Sequence, residues 1–366
     1  MKKLKVVGIN LTVFVFLTII LELIFGGWLN KENYLNGLMI TRNRVLKFDL
    51  NGLYPYDKEV IDVTKDKFGF RGSRNTLNRP ESIDILCIGG STTYQRLIED
   101  GHTWSEVLEN SLKENGLNFN VANAGVDGQS TFGHIKGFEL WFPQVPNLRP
   151  KYILFFFGIN DFYILKTKMG SDEIKAKGTD FVKEEIRNNS ALYNLYIVIE
   201  GSFLAKINGI DHSKVVFSHY DYGAQGLLDT LDFTSFFKGR LEAYEQRLEH
   251  LVNLSEKMGA TPVFITQPSR RFKFDEEHQV IGVQEVLNHK FSGFKLNGVD
   301  YYSALVEMNK VIKKVANEHS LKVIDQTRLD IWEDEDFYDF SHTTPVGSKK
   351  IGEAIANELI PFFKGR

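Results

Sequence analysis

Short apolar runs alternate with amphipathic segments over most of the chain. The first run, residues 83–88, stops at Gly89-Gly90, as a buried strand does when a tight turn follows it. Further runs of this kind lie at 119–122, 152–157, 262–266 and 322–324. Apolar stripes at helical spacing lie at 103–115, 240–257, 302–319 and 345–363. This alternation predicts an α/β fold, a doubly wound parallel sheet of about five strands with helices on both faces.

The N-terminal segment 6–28 is almost entirely apolar. At about 1.5 Å per residue, a helix of this length crosses the roughly 30 Å hydrocarbon core of a bilayer. Lys2, Lys3 and Lys5 precede it, which favours a cytoplasmic N-terminus and an extracytoplasmic remainder in a bacterial cytoplasmic membrane. No A-x-A-like site follows, so an uncleaved signal anchor is favoured over a cleaved signal peptide. Glu22 lies toward the outer third, from where its carboxylate can reach the interface.

The sequence therefore divides into four parts. They are a cytoplasmic N-terminus (1–5), a transmembrane signal anchor (6–28), a membrane-proximal arm (29–80) and a main domain (81–366). The apolar residues of the arm show no strong periodicity, and the arm is expected to pack on the main domain through its aromatic residues. Two stretches of the main domain, near 162–239 and 269–300, depart from the alternation. They are predicted to be insertions that form lids or walls of a site.

Composition narrows the class of partner. Hydrophobic residues make up 43% of the chain and charged residues 25%, as in ordinary globular proteins, and the net charge of -3 argues against a nucleic-acid partner. The single cysteine, Cys87, lies inside the first predicted strand and is expected to be a small buried hydrophobe. His134, His212, His219 and His278 show no HxxxH or HExxH spacing, so no metal site is predicted.

Residues able to do chemistry follow the predicted strands. Ser91 follows the first strand, Gly125 the second and Asn160 the third, while Asp339 and His342 come after the fifth. Because the carboxyl ends of parallel strands meet at one edge of a sheet, these residues are expected to lie together. Taken alone, Ser91 is more typical of a helix N-cap or a turn than of a nucleophile, and a flavodoxin-like phosphate loop is a further alternative. The Walker and GxGxxG patterns are absent.

The same set of residues meets the needs of acyl transfer. That reaction needs a nucleophile, a base, a carboxylate that orients the base, and hydrogen-bond donors for the developing oxyanion. Ser91 fits the nucleophile, His342 the base and Asp339 the carboxylate. The backbone N–H groups of Ser91 and Gly125 and the side-chain amide of Asn160 fit the oxyanion hole. Glycine at 125 allows the backbone to approach a ligand closely.

These motifs resemble the conserved blocks of the SGNH (GDSL-type) hydrolase superfamily. The corresponding stretches are GGSTT (89–93), NAG (123–125), GIND (158–161) and DFSH (339–342). The resemblance covers about residues 83–363 and implies a flavodoxin-like fold and ester hydrolysis without a metal or organic cofactor. It also implies the roles just given to the five site residues. The motif that names the family has Asp where this chain has Gly90, a variant familiar among membrane-anchored bacterial members.

Other polar residues lie near the same edge of the predicted sheet. Gln267 and Arg270 follow the fourth strand and are predicted to face the substrate, with a solvated basic turn as the alternative. Asp161 follows Asn160 and is interpreted as a cap of the next segment rather than as a catalytic acid.

The sequence thus predicts a membrane-anchored serine esterase. An anchored enzyme outside the cytoplasmic membrane meets acylated glycans, so O-acetyl groups of a cell-envelope or exported polysaccharide are the favoured substrate, ahead of lysophospholipids or thioesters. The same residues would also serve an O-acyltransferase that passes the acyl group to a sugar hydroxyl. A non-catalytic glycan-binding module is the alternative from a different class.

Overall fold

The computed structural model describes most of the chain. The described residues are 2–26, 28, 34–35, 40–72, 79–164, 186, 190–193, 195–196, 199, 214–223, 225–227, 230–285, 287–291 and 294–365. Most of the predicted insertion at 162–239 therefore lies outside the described residues, and so does His212.

The described residues of the N-terminal region form one long helix and two short antiparallel pairs. These elements are α1 (Lys2–Phe25), β1 (Tyr34–Leu35), β2 (Ile40–Thr41), β3 (Arg44–Asp49) and β4 (Val60–Lys65), with β1 paired to β2 and β3 to β4. The stretch Val6–Phe25 has a mean hydropathy of 2.4 and is unburied, so it is long and apolar enough to be a membrane anchor or a signal sequence. The Glu22 carboxylate accepts hydrogen bonds from Ser190 Oγ at 2.7 Å and Ala191 N–H at 2.9 Å.

The main domain alternates strands and helices. In chain order these are β5 (Ile85–Gly89), α2 (Ser91–Tyr94), α3 (Trp104–Glu114), β6 (Val121–Gly125), α4 (Thr131–Lys136), β7 (Tyr152–Phe156), α5 (Ile159–Ile164), β8 (Tyr222–Gly223), α6 (Thr230–Lys257), β9 (Thr261–Ile265), β10 (Phe272–Phe274), β11 (Val280–Val283), β12 (Leu287–Phe291), β13 (Phe294–Leu296), α7 (Gly298–Glu318), β14 (Lys322–Ile324) and α8 (Pro345–Lys364). Single 3-10 turns lie at Pro80–Ser82, Phe142–Gln144, Phe217–His219 and Asp334–Asp336, and a π-helical turn lies at Gly137–Trp141.

Five of these strands form a parallel sheet in the spatial order β14-β9-β7-β5-β6. Counted along the chain, this is the flavodoxin-like order 2-1-3-4-5, so the predicted doubly wound fold is confirmed. The chain moves from β5 to β6 on one side and then returns to β7 on the other. The carboxyl end of β5 therefore lies at the switch point, where a crevice opens between the loops.

Helices cover both faces of the sheet because alternate strand residues point to opposite sides. Ile85 and Cys87 pack in one core with α3 and α8, whereas Leu86 and Ile88 pack in a second core with α6 and α7. Cys87 is fully buried, and burial raises the pKa of its thiol. Both cores leave the carboxyl edge of the sheet free to carry polar residues.

Smaller antiparallel pairs lie beside the main sheet. In the predicted insertion at 269–300, β10 and β11 join β8 in a three-stranded sheet, and β12 pairs with β13. The arm attaches to the edge of the main sheet through Arg71, whose backbone N–H donates to Asn123 O at 2.9 Å. Phe70 also packs against Trp141, with ring centroids 5.2 Å apart.

Candidate active site

Ser91 lies where β5 ends and α2 begins. Gly90 is the N-cap of α2 and Ser91 is its first residue, so the Ser91 N–H has no acceptor within the helix. The half-buried Ser91 hydroxyl oxygen lies 2.7 Å from His342 Nε2. The strand and the helix together hold this hydroxyl at the switch point of the sheet.

His342 is held by Asp339 from the same loop. Its Nδ1 lies 2.7 Å from Asp339 Oδ2, and Asp339 Oδ1 accepts the backbone N–H groups of Ser341 at 2.8 Å and His342 at 2.7 Å. The Tyr338 N–H donates to His342 O at 3.1 Å and closes the loop. The structure thus brings Ser91, His342 and Asp339 into one continuous hydrogen-bonded chain.

Opposing effects act on the charge of His342. Burial lowers the pKa of His342, whereas the charge of Asp339 and its hydrogen bond raise it. The carboxylate of Asp127 adds to the increase and Arg96 opposes it, and these two side chains pair with each other at 3.4 Å. The net effect places the pKa of His342 above its usual value.

Asn160, in the first turn of α5, lies beside Gly90. Its Nδ2 donates to Gln129 O at 2.7 Å, which uses one of the two amide hydrogens. A Cβ at position 90 would lie 2.1 Å from Asn160 Nδ2. The Gly90 that departs from the family motif therefore makes room for the Asn160 amide next to Ser91.

The structure gives Gly125 a role different from the predicted one. Its N–H donates to Asn123 Oδ1 at 2.9 Å, so this donor is already used within the protein. A Cβ at 125 would lie 2.2 Å from the Tyr94 backbone nitrogen. Glycine is thus required for packing of β6 against α2, and the assignment of its N–H to the oxyanion hole is corrected.

Gly128, which sequence reasoning did not select, lies in the loop after β6. It has a φ of +71°, a conformation that glycine adopts freely, and a Cβ there would meet nothing within 4 Å. Among the described residues, none accepts a hydrogen bond from its N–H. The next residue, Gln129, accepts the Asn160 amide. The Asp127-Gly128 pair after the second strand was the available signal, since such pairs mark turns that need a positive φ.

Gln267 and Arg270 have partners within the protein. Gln267 is 3% exposed, its Nε2 donates to Thr92 Oγ1 at 2.6 Å, and its Oε1 accepts the Ile159 N–H at 2.6 Å. Arg270 is 6% exposed and donates from Nε to Asp334 Oδ1 at 2.7 Å. These hydrogen bonds connect strand ends and loops around the site. The prediction that both side chains face the substrate is therefore wrong.

Asp161 is buried and acts on a neighbouring helix. Its carboxylate accepts the Thr131 N–H at 3.1 Å and the Thr131 hydroxyl at 2.6 Å, at the first residue of α4. Arg247 lies 3.6 Å from the same carboxylate. These contacts agree with a structural role for Asp161, but the helix that it caps is α4, earlier in the chain, and not the next segment as the sequence suggested. In the described part of the chain, no group of three or more His, Cys, Asp or Glu side chains is arranged to hold a metal ion.

Comparison with known families decides what kind of protein this is. A family model described as the GDSL-like Lipase/Acylhydrolase family matches residues 87–350. The match runs from β5 into α8 and includes Ser91, Asn160, Asp339 and His342. The chain belongs to this family. It is a hydrolase that acts on ester bonds.

Several solved structures are similar to this hydrolase. A lipolytic protein of the G-D-S-L family from Veillonella parvula is 16% identical, with 75% of this chain and 97% of that chain covered and a TM-score of 0.40. A catalytic mutant of Axe2, an acetylxylan esterase from Geobacillus stearothermophilus, is 13% identical, with 75% and 93% covered and a TM-score of 0.41. The esterase EstA from Pseudoalteromonas is 11% identical, with 76% and 98% covered and a TM-score of 0.39. A search of curated protein sequences finds no match.

Proposed function

We propose that this hydrolase is a serine esterase in which Ser91 attacks the ester carbonyl. The observation that carries the proposal is the chain of 2.7 Å contacts from Ser91 Oγ to His342 Nε2 and from His342 Nδ1 to Asp339 Oδ2. A nucleophile, a base and an orienting carboxylate in this arrangement are what acyl transfer requires. They lie at the switch point, the position at which open α/β sheets bind ligands.

The reaction proceeds by two acyl transfers. His342 Nε2 takes the proton of Ser91 as Oγ bonds to the carbonyl carbon, and the resulting imidazolium is stabilised by Asp339. His342 then gives this proton to the departing alkoxide, which leaves an acyl-Ser91 ester. A water molecule, deprotonated by His342, attacks that ester. Collapse of the second tetrahedral intermediate releases the acid, and His342 returns the proton to Ser91 Oγ, which restores the hydroxyl and the neutral imidazole.

The proposed oxyanion hole has three hydrogen-bond donors. We assign the Ser91 N–H, which has no acceptor in α2, and the second amide hydrogen of Asn160. The third donor is the N–H of Gly128, which replaces the occupied N–H of Gly125. Such donors accelerate the reaction because they stabilise charge that develops only in the transition state.

The proposed substrates are O-acetyl groups on a cell-envelope or exported polysaccharide. The apolar helix α1 supports this class, because an anchored catalytic domain outside the cytoplasmic membrane meets acylated glycans. We place the catalytic domain on the outer side of a bacterial cytoplasmic membrane on the basis of Lys2, Lys3 and Lys5.

Acetate release by intact spheroplasts tests the function and the location together. Spheroplasts that carry the full chain are given an O-acetylated polysaccharide, which does not cross the membrane, and matched spheroplasts carry Ser91→Ala. We expect intact spheroplasts with the wild-type chain to release acetate, and spheroplasts with Ser91→Ala to release none. Release only after lysis would contradict the location. If neither intact nor lysed spheroplasts with the wild-type chain release acetate, although p-nitrophenyl acetate is still hydrolysed, the substrate class is contradicted. Transfer of acetate to an added acceptor sugar would identify a transferase.

A further inference from the structure

The arm forms part of the active-site scaffold. We use "arm hairpin" for β3, β4 and the loop between them, residues 44–65. Its buried side chains share one hydrophobic cluster with main-domain residues, and the cluster comprises Leu50, Leu53, Tyr54, Ile61, Val63, Tyr94, Ile98 and Tyr338. Tyr94 ends the helix that begins at Ser91, and Tyr338 directly precedes Asp339. The arm hairpin thus touches both segments that supply the reacting groups.

Two tyrosine rings connect the arm hairpin to His342. The Tyr338 ring is stacked on the His342 imidazole with centroids 5.7 Å apart and an interplanar angle of 9°. The Tyr54 ring in turn stacks on the Tyr338 ring, with centroids 6.1 Å apart and an interplanar angle of 28°. Both tyrosines are 5% exposed, and the Tyr54 hydroxyl donates to Leu97 O. Centroid distances of this size are typical of stabilising aromatic pairs.

The arm hairpin is itself fixed to the main domain. Thr64 Oγ1 donates to Asp100 Oδ2 at 2.5 Å, and the buried Arg71 guanidinium binds the same carboxylate. Lys65 Nζ donates to Gly125 O at 3.4 Å and lies 4.3 Å above the Tyr94 ring. Because the hairpin is anchored at these points, Tyr54 has a defined position against Tyr338.

We propose that Tyr54 is a positioning residue for the base of the reaction, acting through Tyr338. This inference rests on the proposed function of Ser91 and His342. In the proposed reaction the imidazole receives a proton from Ser91 and later delivers it to the leaving group, so its ring plane must remain aligned with both. The stack restricts that plane from one side, while Asp339 fixes the ring at Nδ1. A small displacement of such a group lowers the rate strongly.

Substitutions at Tyr54 in the full-length protein test this inference. Tyr54→Ala and Tyr54→Leu are expected to lower kcat for p-nitrophenyl acetate by about 10- to 100-fold with KM within about twofold, whereas Tyr54→Phe keeps the ring and is expected to retain kcat. Rates are expressed per active site, counted by the amplitude of phosphonate labelling, so that unfolded molecules do not contribute. Leu53→Ala is the matched control, because Leu53 belongs to the same buried cluster but contributes no ring to the stack.

The outcomes separate this inference from the proposed function. Wild-type protein that neither hydrolyses ester nor is labelled would overturn the proposed function. Active wild type with full kcat in Tyr54→Leu would overturn the positioning role, since packing without a ring would then be sufficient. An equal loss of kcat in Leu53→Ala and Tyr54→Leu would also overturn it. If Tyr54→Ala does not fold, Tyr54→Leu and Tyr54→Phe still decide the question.

Discussion

At the scale of single residues, the proton on His342 controls the proposed reaction. The imidazole acts as a base only when it is neutral, and Asp339 holds its pKa above the usual value despite the opposing effect of burial. Hydrolysis is therefore expected to fall as the pH decreases through this raised pKa. The same carboxylate fixes the tautomer, because it accepts the hydrogen on Nδ1 and leaves Nε2 free for Ser91.

Asp339→Asn separates these effects. Removal of the charge lowers the pKa of His342, so the acidic limb of the kcat/KM profile is expected to move to lower pH. The amide also favours the wrong tautomer, so kcat at neutral pH is expected to fall by on the order of 10⁴, less than the roughly 10⁶ expected for Ser91→Ala. Initial rates from pH 5 to 9 provide the measurement. An unchanged acidic limb would show that another group sets the pKa of His342.

Several residues of the candidate site could be selected from the sequence because their side chains are of the types that acyl transfer uses. Ser91, Asn160, Asp339 and His342 follow strands in the sequence, and the sheet brings them to one edge. Gly125 was assigned wrongly because its N–H is used by Asn123, two residues earlier, a contact that no spacing pattern reveals. Tyr54 was missed because it stacks on Tyr338 from a segment far away in the sequence.

At the scale of secondary-structure elements, strands buried on both faces were easiest to predict. The runs at 83–88 and 152–157 correspond to β5 (Ile85–Gly89) and β7 (Tyr152–Phe156), whose side chains are almost entirely buried. The arm hairpin was missed because β3 has no buried residue and the alternation in β4 ends in a lysine. The Asn51-Gly52 pair and the alternation of Ile61 with Val63 were the available signals.

Lys65 at the end of β4 gives the arm hairpin a pH-dependent stability. Burial and the nearby Arg71 lower the pKa of Lys65 to about 7, against an ordinary value of 10.5, and Asp127, Asp66 and Asp100 only partly oppose this. Between these two pH values the unfolded chain holds a proton that the folded chain has lost. The contribution of Lys65 to the free energy of unfolding therefore rises as the pH increases from about 7 toward 10.

Lys65→Met removes this dependence. The variant is expected to have a higher Tm than wild type at pH 7, and the difference is expected to shrink as the pH is raised to 10. Thermal unfolding of the full chain in detergent provides the measurement. Lys47→Met is the control on the same hairpin, because the Lys47 side chain is 70% exposed and its loss is expected to change Tm little. A Lys65→Met difference that stays constant with pH would show that Lys65 is charged in the folded protein.

At the scale of the whole molecule, the strand order explains why the residues of the candidate site converge. β5 lies between β6 and β7, so the loops that begin at Ser91, Gly125 and Phe156 open into one crevice, and the loop before α8 adds Asp339 and His342. The alternation of strands and helices predicted this sheet from the sequence, because each strand must be buried by helices on both faces. The sequence predicted that the arm packs on the main domain through its aromatic residues, but its position there could not be predicted, since it depends on long-range contacts such as Arg71 with Asp100.

The central claim is that Ser91 is the nucleophile and that His342 activates it. Its most direct test is treatment of the full-length protein with a serine-directed organophosphonate, followed by peptide mass mapping. We expect an adduct on Ser91 that forms rapidly in wild type, is absent in Ser91→Ala, and forms much more slowly in His342→Ala. An adduct on a different residue, or ester hydrolysis by the folded protein with Ser91 unmodified, would contradict the claim.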